Sequence, residues 1–297
     1  MMLFATMVAS AGAETPLPWL ARINMYRAMD QLPPIANDPA LTRGAQDHAI
    51  YVIKNFAKQV HDGSVTAAEI NSESSQRRLQ TSAGSTVAPH SEIDFAFGEH
   101  QSQEAAIDRW IQGPHHRMLL LNPELQRIRY GYYCERGLCA QIVDVEDGIA
   151  RAPVDPDTQV AIEFPPANST MSLNELSQES PDPLSACPGY TYPTGLPITF
   201  EIGSYIGAKL FAYSILRKDD PGAPPIEACG YDAFTYRNPA RAQLATVIGG
   251  LKAFSAVVVV PRHPLEPGNY RASVTVNDKD YGWSFTIAPT DSSSAAR

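Results

Sequence analysis

The chain has 297 residues, enough for two domains of ordinary size. Hydrophobic residues make up 44% and charged residues 19%, which fits a globular chain and argues against a disordered or fibrous one. A formal net charge of −9 argues against nonspecific nucleic-acid binding, which needs clustered Lys and Arg.

Met1–Ala13 is a short apolar stretch ending in Ala11-Gly12-Ala13, a small-residue site of the signal-peptidase kind, with no Lys or Arg before the apolar part. It is too short to span a bilayer, and no other segment approaches twenty apolar residues. A secreted, soluble protein is the expectation. Pro18-Trp19 opens a predicted helix with Trp19, Ile23 and Tyr26 on one side. Leu32-Pro33-Pro34-Ile35 is an extended connector, and Asp38-Pro39 starts the longest predicted helix. That helix carries Leu41, Ala45, His48, Val52 and Phe56 on one stripe, with His48 expected as a hydrogen-bonded core histidine. Residues 61–89 are polar and aperiodic, and Ser91–Gly98 has a strand-like core.

Ser102 reads as the N-cap of a helix, with Glu104 in the first turn and Ile107, Trp110 and Ile111 on an apolar face. Gly113-Pro114 is expected to stop it through a left-handed glycine cap. His115, His116 and Arg117 are then held at a sharp turn before the apolar run Met118–Leu121. Ile128–Cys134 and Cys139–Val145 read as a hairpin whose two cysteines face each other at disulfide distance. Cys187 and Cys229 remain as the second structural pair. Beyond a Pro- and Asp-bearing linker the pattern is all β: 159–164, 198–202, 209–215, 253–260, 270–276 and 281–287. Leu265–Tyr270 looks like the tyrosine-corner entry to a late strand of an immunoglobulin-like sandwich.

Trp110, Pro114, His116, Arg117, Leu121, Asn122 and Pro123, together with the Leu-Pro-Pro connector, Asp38-Pro39 and Ala45-x-x-His48-Ala49, resemble the bacterial SCP-like branch of the CAP superfamily. This is the secreted family of cysteine-rich secretory proteins, venom allergens and plant pathogenesis-related proteins. The resemblance covers residues 18–146. It implies an α+β chain: an N-terminal α-β-α sandwich followed by an all-β immunoglobulin-like sandwich. The expected layout is a signal peptide at 1–13, a CAP domain at 14–150, a linker at 151–158, the β-sandwich at 159–290 and a disordered tail at 291–297.

The family places two histidines and two acids in a cleft where a divalent metal can bind. Carried over, these are His61, Glu92, His116 and Glu104, with Asp108 the alternative to Glu104 and His90 or His100 the alternatives to His61. The family's Gly-Glu-Asn-Ile motif is altered here to Ser91-Glu92-Ile93-Asp94. His61 and His116 are the metal-ligand candidates, and zinc or another divalent metal is the implied cofactor, since imidazole with carboxylate suits such ions. Each residue also has a structural reading. His116 could brace its turn, Glu92 could sit at a solvated strand edge, His61 could be a loop histidine, and Glu104 could simply favour its helix dipole. His115 falls at the family's variable position and is expected exposed, while Arg117 is expected to pair with Asp108 or Glu124. The resemblance implies a secreted binding module for a small apolar or envelope-derived ligand; a metal-assisted or Glu/His acid–base hydrolase is the alternative, with catalytic residues unassigned.

Overall fold

A computed structural model describes residues 17–65, 70, 91–97, 102–145, 148–149, 161–203 and 206–289. The expected signal peptide, most of the 61–89 loop, the linker and the tail lie outside these residues.

Helix α1 (Pro18–Met29) buries Trp19, Ile23 and Tyr26, as their spacing requires. Helix α2 (Pro39–Asp62) opens on Pro39 and buries Ala45, His48, Val52 and Phe56. Helix α3 (Gln103–Gln112) is capped by Ser102, whose side chain accepts from the Ala105 amide. Helix α4 (Pro114–Leu120) follows at once. The first sheet holds β1 (Ala36–Asn37), β2 (Ser91–Phe97), β3 (Arg127–Glu135) and β4 (Leu138–Asp144), in the order β1-β3-β4-β2. In the β3–β4 hairpin Cys134 lies directly opposite Cys139, and the two are bonded.

Two helical layers sandwich this sheet. On one face, Ala45, Ala49, Val52, Ile53 and Phe56 of α2 pack on Ile93, Ala140 and Ile142. Gly131 makes that approach close, because a Cβ there would overlap the backbone of Ala45. On the other face Trp19 stacks on Tyr130 at 4.7 Å, beside Ile107, Trp110 and Val143. Asp108 fastens α3 to α1 by accepting from both Arg22 nitrogens, Nε at 2.6 Å and Nη2 at 2.7 Å, and from the Tyr26 hydroxyl at 2.7 Å.

The second half is sheet-rich. Strands β5 (Ile162–Phe164), β6 (Thr170–Met171), β7 (Glu175–Leu176), β8 (Thr194–Gly195), β9 (Ile198–Glu201), β10 (Leu210–Arg217), β11 (Ala228–Asp232), β12 (Ala256–Pro261), β13 (Gly268–Val276) and β14 (Lys279–Ile287) include all six predicted there. Two four-stranded sheets, β10-β13-β14-β6 and β11-β12-β9-β5, contribute Ile215, Tyr270, Val274 and Phe285, and Phe164, Phe200, Val257 and Val259, to one core. The Tyr270 hydroxyl donates to the Glu266 carbonyl at 2.6 Å, the bond expected of a tyrosine corner. Cys187 is bonded to Cys229. Strands β6, β7, β8 and β11 and one helix escaped the sequence reading. Helix α5 (Arg241–Ala253) buries Val247 and Leu251 against Val258, Val260 and Tyr231, and Met118 of α4 joins the same cluster. With only two residues fully buried and a Gly249-Gly250 pair near its end, it carries little helical signature.

The halves share a core, since Trp110, Leu120 and Leu121 belong to the same apolar cluster as Phe164, Phe200 and Phe285. Arg117 crosses the junction. It is fully buried, and one of its Nη groups donates to the Ile111 carbonyl at 2.9 Å. The other reaches the second half, at 2.8 Å from the Pro197 carbonyl and 3.3 Å from the Thr199 hydroxyl. Its guanidinium lies 3.8 Å from the Phe164 ring centroid. Arg117 therefore pairs with neither Asp108 nor Glu124, because Asp108 is already held by Arg22 and Tyr26. Arg117→Ala would strand buried carbonyls on both sides of the junction and should cost about 3–5 kcal/mol in a denaturant titration. A loss within about 0.5 kcal/mol, the range of a surface substitution, would show that the junction does not depend on it.

Candidate functional site at the start of helix α4

Gly113 does not take the expected left-handed cap; its φ of −76° and ψ of 125° are extended. Pro114 then begins α4, so His115, His116 and Arg117 sit in a helix rather than a bare turn. The reason is a carboxylate from the second half. A Cβ on Gly113 would overlap the Glu179 carboxyl group, so a larger residue would have to displace that carboxylate. Glu179 Oε1 accepts from the backbone amides of His115 at 3.0 Å and His116 at 2.9 Å, two donors that a helix start otherwise leaves unpaired. The His116 ring nitrogen Nδ1 lies 3.0 Å from the same oxygen.

Only 1% of the Glu179 side chain is exposed. Burial opposes its charge, but His115, His116 and the His116 amide outweigh that and hold its carboxyl below the usual range. His115, expected to be exposed, is largely covered instead, and burial pushes its pKa down. A neutral imidazole fits its partners: Nδ1 is 3.1 Å from the Pro181 carbonyl, which only accepts, and Nε2 is 3.1 Å from the Tyr231 hydroxyl, which can donate.

Beside this turn lies a second charged group. Asp94, on β2, sits opposite Gln141 of β4, which in turn faces Tyr132 of β3. Arg109 of α3 grips both Asp94 oxygens, Nε at 2.8 Å and Nη2 at 2.5 Å. The Tyr130 hydroxyl donates to Gln141 Oε1. Asp94 feels the charge of His116, and Tyr130 feels that of Glu104, so these groups form one electrostatic neighbourhood.

Of the residues predicted from the sequence, His116 lies at its centre and Glu104 at its rim, where Glu104 accepts from the Ser102 hydroxyl at 2.8 Å. Glu92 pairs with Val143 across β2–β4, two positions from Asp94, and its side chain lies outside the description. His61 is exposed in the last turn of α2, the layer across the sheet from α3. Asp108 serves the α1–α3 brace. His90 and His100 lie outside the described residues. Asp94, Arg109 and Glu179 were missed. Asp94 had a signal, since it shares the strand parity of Glu92; Glu179, 63 residues beyond His116, had none. Among the described residues no three His, Cys, Asp or Glu side chains gather into a metal-holding group.

Two further acids lie in the field of Arg117, half-buried Asp30 in its own half and buried Glu201 in the other. Burial pushes Asp30 up to about 8 and Glu201 up to about 8, with Arg117 only partly opposing. The folded chain therefore keeps protons that the unfolded chain releases near pH 4. It binds more protons throughout that interval, so these groups make stability fall as pH rises towards 8. His115 titrates below its ordinary value and contributes no slope above neutrality. Thermal midpoints should drop between about pH 7 and about pH 8, with a shallower drop in Glu201→Gln. A rising midpoint over that interval would contradict the assignment.

The model of the cysteine-rich secretory protein family, CAP, matches residues 20–143. Among solved structures, the chain is similar to an extracellular SCP-domain protein of Bacillus anthracis, at 17% identity over 43% of this chain and 39% of that one, TM-score 0.28. A cysteine-rich secretory protein of Staphylococcus aureus is 15% identical over 43% and 37%, TM-score 0.26. An outer surface protein of Borrelia burgdorferi is 14% identical over 42% and 85%, TM-score 0.27. The chain spans about two fifths of the length of the first two. No curated protein sequence matches it.

Proposed function

Residues 20–143 form a CAP domain, and we propose that it works in a secreted binding protein whose cleft takes a small, envelope-derived ligand with an apolar body and an anionic head. The observation that carries this reading is the Asp94–Arg109 pair beside His116. Arg109 is fixed by two bonds to Asp94, yet 39% of its side chain is exposed, so an anionic head group can reach an already oriented guanidinium. Tyr132, half-buried on the same sheet face, supplies aromatic surface nearby. Two disulfides and no free cysteine suit an oxidising compartment. Among the described residues no helix is long and apolar enough to cross a membrane.

Calorimetry with palmitate tests the ligand class. Binding to the wild type, weakened about tenfold or more in Arg109→Ala, is expected, a loss of about 1.4 kcal/mol. Titrating zinc alone into wild type and His116→Ala tests the metal part. Absence of heat with both probes would remove the binding reading.

A further inference from the structure

The Glu179 carboxylate comes from the sheet-rich half but ends on a histidine of the CAP domain. We propose that Glu179 is a positioning residue for the cleft: it holds His116 in the tautomer protonated at Nδ1, so that Nε2 is the ring's acceptor. The consequence for ligand capture rests on the binding reading above; the tautomer itself does not.

Three observations carry it. First, an ionised carboxylate can only accept, so the 3.0 Å contact between His116 Nδ1 and Glu179 Oε1 requires the proton on Nδ1. Two backbone amides on the same oxygen favour the ionised form. Second, the other charged neighbours of Glu179 hold contacts of their own. Arg117 is within its electrostatic reach but sends both Nη groups to carbonyls and a hydroxyl. His115 has its two ring nitrogens at Pro181 and Tyr231, and its Nδ1 is 3.5 Å from the other Glu179 oxygen. Asp94, which also feels the charge of His116, is engaged with Arg109. Third, Gly113 is shaped to the contact, since a methyl group there would displace the carboxylate. The second half is thereby a working part of the site, because it sets which ring nitrogen offers its lone pair to an acidic proton or a cation.

The test is two-bond 15N–1H correlation of the histidine rings in the full chain, above the imidazole titration range. The expected spectrum shows His116 protonated at Nδ1 in the wild type. Glu179→Ala, and separately Gly113→Ala, should return it to the Nε2-protonated form usual for unconstrained histidine. Glu179→Gln, whose amide oxygen can still accept, should keep the Nδ1 form, so a mere loss of fold is distinguished. An Nε2-protonated ring in the wild type, or one unchanged in both alanine variants, overturns the proposal. The spectrum involves no ligand: a null palmitate titration leaves it standing, and palmitate binding with an Nε2-protonated His116 sinks it alone.

Discussion

A guanidinium with no exposure to water must have its charge answered inside the protein, and in this chain the answer comes from both halves at once. Arg117 leaves α4 between the Ile111 carbonyl on its own side and the Pro197 carbonyl and Thr199 hydroxyl on the other, over the face of Phe164. Neither half alone pairs both of its Nη groups. The junction is thus specified by polar geometry within an apolar surround, as Leu120, Phe164 and Phe200 close over it. The same demand draws buried Glu201, half-buried Asp30 and Glu179 into its electrostatic field.

Once the halves are locked, Glu179 is placed at the start of α4. Its position accounts for several local features together: the extended Gly113, the uninterrupted start of a helix at Pro114, two satisfied amides and the orientation of His116. A second domain acting only as a spacer would need none of these contacts. The shared core and the contacts of Glu179 and Arg117 instead join the two halves directly.

Charge in the cleft region is managed by pairing. Asp94 and Arg109 neutralise one another while leaving Arg109 within reach of solvent, and His116 stands between that pair and Glu179. Such an arrangement presents fixed donors without a large net charge. Asp108 and His48, equally plausible by residue type, are consumed by structure: one fastens α1 to α3 and the other lies in the α2 stripe.

The sequence alone determined the elements whose information is local. The stripe through Ala45, Val52 and Phe56, the Ser102 cap, the opposed Cys134 and Cys139 and the alternating strands of the second half were all legible, because helical, capping and pleated geometries repeat over a few residues. The family motif added His116 and its layer. Only the tertiary structure decided what His116 and Arg117 touch. Their partners in the second half lie more than sixty residues away, with no motif pointing back, and complementarity between a buried charge and a distant carboxylate leaves no periodic trace in the chain. For the same reason the fate of Gly113 was misread: its neighbours suggested a helix stop, but the space it clears is for Glu179.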